Sequence, residues 1–265
     1  MKTYVIADIH GAHKALVQAI ERSPFNPEED MLISLGDIAD GWPEVPQCVE
    51  YLLGIPNLIA IRGNHDMWCR QWVEYGEVTR AWKSQGGEAT LKAYSEGDYD
   101  MERHREFFKL QIPYHIDTQN RGFVHGGFTS RKGLGHDEYQ SNYFWDRDLW
   151  NLAVMSDNAY HKGTLDKEGS PQGCRMLKHK EIFIGHTTTG MWKYKHNGVL
   201  RVKDTTNPDC KVGKPITTPI QACNVWNLDT GGGWEGKVTI MDIDSKEYWQ
   251  SDFVTELYPG IKGRR

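Results

Sequence analysis

The sequence predicts an α/β fold. Three observations predict it: short apolar runs alternate with helically spaced apolar positions over residues 3–61, polar side chains of metal-ligand type follow the runs, and a second series of apolar runs appears after residue 120. Tyr4 to Ala7 is a continuous apolar run, the pattern of a strand covered on both faces. Leu16, Val17 and Ile20 recur at helical spacing, Met31 to Leu35 is a second strand, Val45, Val49, Leu52 and Leu53 mark a second helix, and Asn57 to Ile61 is a third strand. Strands alternating with short amphipathic helices imply right-handed βαβ units and a largely parallel sheet. From Cys69 to Leu110 the pattern turns helical and aromatic, with Trp72, Tyr75, Trp82, Tyr94, Phe107 and Phe108 spaced through polar sequence. These rings are expected to pack, since aromatics carry large buried area, with substrate stacking as the alternative. Gly122 to Val124, Glu181 to Ile184, Val199 to Val202, Val225 to Leu228 and Val238 to Ile243 read as strands of the second half.

With 38% hydrophobic and 25% charged residues in 265, the chain can bury a full core as one domain, with a helical insertion at about residues 69–110. Gly163 to Gly173, Asn207 to Thr218 and the basic tail Gly260 to Arg265 are the expected flexible stretches. A net charge of −5 without long blocks of like charge gives no support to a nucleic-acid or anionic-membrane surface. No apolar run approaches the roughly 18 residues of a spanning helix, and the early acidic Asp8 interrupts any secretory core, so the cytoplasm is the expected compartment. Five cysteines without a Cys-x-x-Cys pair indicate reduced thiols rather than a disulfide framework or a thiolate zinc site.

The chemistry lies at the strand ends. The first three strands run into Asp8-Ile9-His10-Gly11, Gly36-Asp37-Ile38-Ala39-Asp40-Gly41 and Arg62-Gly63-Asn64-His65-Asp66. A single Asp after a strand is commonly a helix cap or turn residue. Three such clusters at carboxyl ends are placed to converge, because the crevice beyond those ends is where open α/β sheets bind ligands. Two later runs each deliver one histidine, in Phe123-Val124-His125-Gly126-Gly127 and Ile182-Phe183-Ile184-Gly185-His186-Thr187. Five strands ending in Asp, Asn or His point to a metal site. His13, His104, His115, His136, His161, His179 and His196 fall outside these motifs and are given no metal role.

Taken together, D-x-H-G, G-D, G-N-H-[DE], a later His and G-H resemble the signature of the calcineurin-like metallophosphoesterases, over roughly Met1 to Ile243. The branch it looks closest to is that of the bacterial and phage phosphoprotein phosphatases. Ile61-Arg62-Gly63-Asn64-His65-Asp66 is similar to their I-R-G-N-H-[DE], and Trp82, Gly86-Gly87, Thr90-Leu91 and Tyr94 to their W-x4-G-G-x2-T-L-x2-Y. Trp145-Asp146-Arg147 is similar to W-x-R, and Asn227-Leu228-Asp229-Thr230-Gly231 to N-x-D-T-G before a final hairpin.

The resemblance implies a four-layer α/β/β/α sandwich with a dinuclear metal site at the carboxyl ends of the strands. It assigns Asp8, His10 and Asp37 to a first metal and Asp37, Asn64, His125 and His186 to a second, with Asp37 as the bridge. Oxygen and imidazole donors without thiolate suit Mn2+, with Fe, Zn, Ni and Co as alternatives. Two carboxylates and a bridging hydroxide leave about one positive charge of four on the pair, an excess that the amide of Asn64 preserves and that attracts phosphate. His65 is implied as general acid to the leaving oxygen, with Asp40 orienting it; an extra ligand or a supporting residue is the alternative. Arg62 and Arg147 are implied as phosphate-binding, against a surface ion pair for Arg147.

The family commonly reads G-D-x-x-D-R-G, whereas this chain has Gly41-Trp42 after Asp40, so position 41 lacks an expected phosphate-clamping arginine. Trp42 could stack on a nucleobase or pack beside a peptide there. The expected activity is metal-dependent hydrolysis of phosphomonoesters, of the Ser/Thr phosphoprotein phosphatase type, by a two-metal-activated hydroxide. The alternative is a dinucleoside polyphosphate or nucleotide phosphohydrolase. A phosphodiesterase is less favoured, because Gly185-His186-Thr187-Thr188 lacks the second His of G-H-x-H. A metal-binding module without catalysis is disfavoured by the intact His65 and Asp40. The expected partner is a phosphorylated substrate, peptide or nucleotide, with no membrane and no nucleic acid.

Overall fold

The computed structural model of the chain describes residues 1–161, 173–194, 200–202 and 216–264. In chain order it runs β1 (Thr3–Ala7), α1 (His13–Arg22), β2 (Met31–Ser34), α2 (Val45–Leu53), β3 (Leu58–Ala60), α3 (Asn64–Tyr75), α4 (Arg80–Trp82), α5 (Glu88–Ser95) and α6 (Met101–Leu110). The second half follows as β4 (Tyr114–Ile116), β5 (Arg121–Val124), α7 (Ser141–Trp145), α8 (Asp148–His161), β6 (Glu181–Ile184), β7 (Trp192–Tyr194), β8 (Leu200–Val202), β9 (Ile220–Ala222), β10 (Val225–Asn227), β11 (Thr239–Asp242), β12 (Tyr248–Gln250) and α9 (Val254–Leu257).

The strands form two five-stranded sheets, ordered β12-β11-β1-β2-β3 and β4-β5-β6-β10-β9, with β7 and β8 as a separate ribbon. The parallel sheet read from the sequence is only the core of each. β1, β2 and β3 are parallel, as are β5, β6 and β10, but β11 and β12 extend the first sheet antiparallel and β4 and β9 flank the second antiparallel.

Alternation along the strands builds four layers. Tyr4 and Ile6 of β1 and Leu32 of β2 pack under α1, α2 and the helices of residues 64–110. Val5, Ala7 and Ile33 face the other way, onto Phe123, Phe183 and Leu228, forming the core between the sheets. There Phe123 and Phe183 stack with ring centroids 5.1 Å apart and planes 8° from parallel. Val124, Ile182 and Ile184 turn outward beneath Leu149, Trp150, Ala153 and Val154 of α8. Helices therefore cover both outer faces, and the carboxyl ends of β1, β2, β3, β5, β6 and β10 open toward one edge.

The helical stretch begins at Asn64 rather than Cys69, because the turn after β3 leads directly into α3. Its aromatics pack as expected at Trp82, Tyr94, Phe107 and Phe108, whereas Tyr75 is exposed. Gly163 to Gly173 and Asn207 to Thr218 lie outside the described residues except at their C-terminal ends. The tail 260–264 is anchored instead of free, since Arg264 N–H donates to Gly233 O at 3.0 Å and Ile261 N–H to Tyr258 O at 3.2 Å. Cys48, Cys69 and Cys223 are free thiols. No helix among the described residues is long and apolar enough to cross a membrane.

Candidate metal centre

Asp8, His10, Asp37, Asp40 and His186 all lie in the left-handed region, with φ of 51°, 52°, 53°, 73° and 66°. Asp and His tolerate that region better than bulky apolar residues, yet each such residue costs on the order of 1 kcal/mol. The strain turns each side chain off the end of its strand and into the cleft. Backbone bonds lock the turns together: His10 N–H donates to Asp37 O at 2.9 Å, Gly11 N–H to Ile38 O at 2.8 Å and Gly185 N–H to His125 O at 2.9 Å.

Two glycines are required by close approach. A Cβ at Gly63 would lie 2.1 Å from Asp37 Oδ1, and one at Gly185 would lie 2.1 Å from Asp8 Oδ2. Both carboxylates are thus seated against bare backbone.

The side chains converge into two groups that share Asp37. Asp8, His10 and Asp37 form one and Asp37, His125 and His186 the other, with the ligand atoms in each within 4.8 Å of one another. All five are buried. His10 Nδ1 donates to Ala39 O at 3.0 Å and His125 Nδ1 to Leu35 O at 2.8 Å, so both rings present Nε2 to the centre. Those Nε2 atoms lie 3.5 and 3.4 Å from Asp37 Oδ2. Asn64 Oδ1 lies 3.1 Å and His186 Nδ1 3.2 Å from His125 Nε2, which brings Asn64 into the second group.

The charge state of the pocket calls for cations. Burial, then the charges of Asp229 and Asp37, raise the Asp8 carboxyl well above its usual range. Burial pushes Asp229 up to about 6. Burial works against ionised Asp37 too, but the surrounding His125, His65 and His10 outweigh it and hold that carboxyl well below its usual range. Burial depresses His10 and His186. Asp37 Oδ2, which faces both His10 Nε2 and His125 Nε2, is buried without a hydrogen-bond partner. Buried lone pairs of this kind are costly unless a cation takes them, and the all-oxygen and nitrogen donor set fits divalent transition ions.

Behind the cluster, His65 Nδ1 lies 2.7 Å from Asp40 Oδ2. Trp82 Nε1 donates to both Asp40 oxygens at 2.9 and 2.8 Å, and the Thr90 hydroxyl to Oδ1 at 2.6 Å. Asp66 is a clamp: its Oδ1 accepts from Ile38 N and Ala39 N at 2.8 and 3.0 Å, its Oδ2 from Gly63 N and Gln111 Nε2 at 3.1 and 3.0 Å. His65 N–H donates to Asp37 Oδ1 at 2.9 Å, tying the turn after β3 to the shared carboxylate.

A chain with this shared-Asp37 cluster on paired mixed sheets can be compared with known proteins. A family model described as calcineurin-like phosphoesterase matches residues 1–197. The chain belongs to the calcineurin-like phosphoesterase family. It is thus a hydrolase of that family, whose members use a dinuclear divalent metal site. Symmetrical bis(5'-nucleosyl)-tetraphosphatase of Pseudomonas entomophila is 25% identical over 98% of this chain and 96% of its own length. Serine/threonine-protein phosphatase 1 of Salmonella typhimurium is 26% identical over 91% of each. Among solved structures, a putative diadenosine tetraphosphatase superposes with a TM-score of 0.57 at 15% identity, covering 94% of this chain and 92% of that one. A metallophosphoesterase from Sphaerobacter thermophilus gives 0.52 at 16% identity, covering 96% and 89%. These superpositions show the shared calcineurin-like fold.

The two arginines singled out from the sequence are placed differently. Arg147 Nη1 donates to His186 O and Thr187 Oγ1, both at 3.0 Å, and the charges acting on it include Asp229, Asp37 and Asp8. Arg62 Nη2 donates to Gln111 O at 2.6 Å and Lys109 O at 3.3 Å, and the charges acting on it are Arg70, Asp66 and Glu74. The structure thus brings Arg147 to the cluster and points Arg62 toward the end of α6.

Trp42 does not form a rim. It is fully buried, donates from Nε1 to Gly232 O at 2.7 Å and stacks on Tyr258 at 5.1 Å. The exposed rings near the cluster are Trp145, 44% exposed and 6.3 Å from His186, and Trp234, 39% exposed. Trp68 links His65 to Trp145 by edge contacts at 5.1 and 5.2 Å.

Trp82, Thr90, Asp66, Asp229 and Arg264 are site residues that sequence reasoning did not assign. Trp82, Thr90, Asp66 and Asp229 all lie inside motifs of the family signature, so a signal existed for those four. Of the histidines left aside, His104 contacts Tyr94 and Glu50, and His179 contacts Leu134 and Asn120. The side chains of His161 and His196 lie outside the described residues.

Proposed function

We propose that the protein hydrolyses phosphomonoesters as a Ser/Thr phosphoprotein phosphatase-type enzyme, with two divalent ions, Mn2+ foremost, held by Asp8, His10 and Asp37 and by Asp37, Asn64, His125 and His186. When bound, such a pair supplies a nucleophile from solvent at neutral pH and neutralises phosphoryl oxygens. The observation that carries the reading is the His65 side chain: buried, held at Nδ1 by Asp40, with Nε2 free of any hydrogen-bond partner and the ring 4.9 Å from that of His10. An imidazole so placed holds a proton at Nε2 for the leaving oxygen, and Asp40, itself fixed by Trp82 and Thr90, keeps the ring from rotating. Arg147, anchored by His186 O and Thr187, presents its remaining guanidinium hydrogens to phosphate oxygens. Arg62, the other phosphate-binding residue that the resemblance implies, has Nη2 engaged by Lys109 O and Gln111 O, which fixes the side chain and leaves Nη1 for a phosphate oxygen.

A second reading, hydrolysis of dinucleoside polyphosphates, is favoured by the exposed Trp145 and Trp234, two rings able to stack on bases beside the same cluster. Side-by-side turnover of a phosphopeptide, p-nitrophenyl phosphate and a dinucleoside tetraphosphate, with Mn2+, Fe2+, Zn2+, Ni2+ and Co2+ in turn, decides between them. Phosphopeptide and aryl phosphate turnover exceeding that of the dinucleotide supports the first reading. Hydrolysis confined to the dinucleotide, with its KM raised in Trp145→Ala, overturns it.

A further inference from the structure

Arg264 reaches the metal cluster from the far end of the chain. Its Nη1 lies 3.2 Å from His10 Nε2, its guanidinium sits 5.0 Å over the Trp234 ring, and its backbone N–H is bonded to Gly233 O. Its positive charge acts on Asp8, Asp229 and His10, and on Arg147 across the pocket. Arg264 Nε is buried without a hydrogen-bond partner. Two guanidiniums whose charges act on one another and on the buried carboxylates of the cluster can together take a doubly charged anion.

The stem of the same side chain occupies a particular space. A Cβ on Gly41 would lie 3.1 Å from Arg264 Cγ. Position 41 is where the motif after Asp40 lacks its arginine. The stem of Arg264 therefore passes beside residue 41, a glycine with φ of 92°, and carries its guanidinium on to His10.

We propose that Arg264 is a substrate-binding residue which, with Arg147, clamps the phosphate group of the substrate, in place of the arginine absent at position 41. The inference rests on the phosphoester-hydrolysing reading of the site. His10 Nε2 has one lone pair. While Arg264 donates to it the guanidinium is engaged, and when an ion takes that lone pair the N–H is released toward an oxyanion. The contact with Trp234 and the Gly233 bond hold the side chain over the pocket in either case.

The test uses Mn2+-loaded wild-type protein, Arg264→Ala and Arg264→Lys, with manganese content, calorimetric binding of inorganic phosphate, and KM and kcat for p-nitrophenyl phosphate. Loss of a charge-assisted bidentate contact predicts a rise of about ten- to a hundredfold in both the phosphate Kd and KM for Arg264→Ala. Manganese content should stay at the wild-type level, and Arg264→Lys should recover part of the affinity. Wild-type phosphate affinity and KM in Arg264→Ala overturn the proposal, as does loss of manganese from that variant, which would make Arg264 a support of the metal site. A wild-type protein that neither binds phosphate nor hydrolyses the ester overturns the phosphoester reading itself, so the two failures are told apart.

Discussion

His65 Nδ1 and Asp40 Oδ2 are 2.7 Å apart, and both residues are sealed from solvent while His65 Nε2 has no protein partner. A donor held so firmly on one side and left open on the other acts on whatever approaches the metal cluster. Its contribution should depend on how badly the leaving group needs a proton. His65→Asn should lower kcat by roughly 10²- to 10⁴-fold for an alkyl phosphomonoester and far less for p-nitrophenyl phosphate, whose leaving group departs unprotonated. Manganese content should be unchanged. Equal losses on both substrates, or loss of metal, would remove the general-acid role.

Trp82 carries the next prediction, because its indole donates to both oxygens of Asp40 from a helix that contributes nothing else to the cluster. Trp82→Phe keeps the ring and deletes the donor. The buried carboxylate would then rely on Thr90 and His65, costing about 1–3 kcal/mol of stability, read as a lower thermal midpoint. kcat should fall by about tenfold as the His65 ring loses its fixed partner. Trp82→Phe combined with Thr90→Val should be non-additive, since both act on one carboxylate.

Much of this was legible from residue patterns, for a local reason. A strand covered on both faces shows as an apolar run, and residues of ligand type follow it within a few positions, so the segments that carry Asp8, His10, Asp37, Asn64, His125 and His186 could be found without knowing how the sheets pair, while the family resemblance set these six apart from Asp40, His65 and Asp66. The three-residue strands β4, β7, β9 and β12 are too short to carry a period. The antiparallel partnership of β1 with β11 joins segments far apart in the chain, a pairing no local pattern announces. Trp42 looked like a rim residue because the residues that bury it, Gly232 and Tyr258, arrive from the last part of the chain. Arg264 was hidden for the same reason: a short glycine-containing basic tail reads as loose until Gly233 and Trp234 are seen to hold it.

Asp37 belongs to both ligand groups, whereas Asp8 and His186 each belong to one. Asp37→Ala should therefore abolish binding of both ions. Asp8→Ala and His186→Ala should each lower the manganese content from two ions per chain to one, measured by elemental analysis after gel filtration. Retention of two ions by Asp37→Ala would show that the groups do not share it.

Stability of the metal-free protein should depend on pH through Asp229. Burial raises its carboxyl to about 6, against an ordinary value near 3.8, so the folded chain holds this proton more tightly than the unfolded one. Its stabilising effect is full below about 4 and is lost as pH rises toward 6, an amount of about 3 kcal/mol at most. After chelation, the thermal midpoint of the wild type should thus drop relative to Asp229→Asn between pH 4 and 6.5. Mn2+ should restore the wild type at the upper end. Parallel pH profiles for the two proteins would show that Asp229 keeps an ordinary carboxyl.

Gly63 and Gly185 set the tolerance of the centre. A methyl group at Gly63 would meet Asp37 Oδ1, and one at Gly185 would meet Asp8 Oδ2, each at 2.1 Å, far inside van der Waals contact. Neither glycine has a positive φ, so alanine is not barred by backbone conformation; the clash falls on the Asp8 carboxylate at Gly185, and on both the Asp37 carboxylate and its backbone N, 2.3 Å away, at Gly63. Because Asp37 is shared, Gly63→Ala should weaken both ions, and Gly185→Ala chiefly the one held by Asp8. An Asp37 oxygen displaced by the methyl also loses its bond from His65 N–H, which loosens the general acid at the same time. Gly63→Ala should therefore lose at least tenfold in manganese affinity, with kcat still reduced at saturating metal. Gly185→Ala should lose affinity at one site and recover most of its kcat once that site is filled. If both variants bound manganese as the wild type does, the carboxylates would have room to retreat, and the close backbone seat would have no bearing on metal binding.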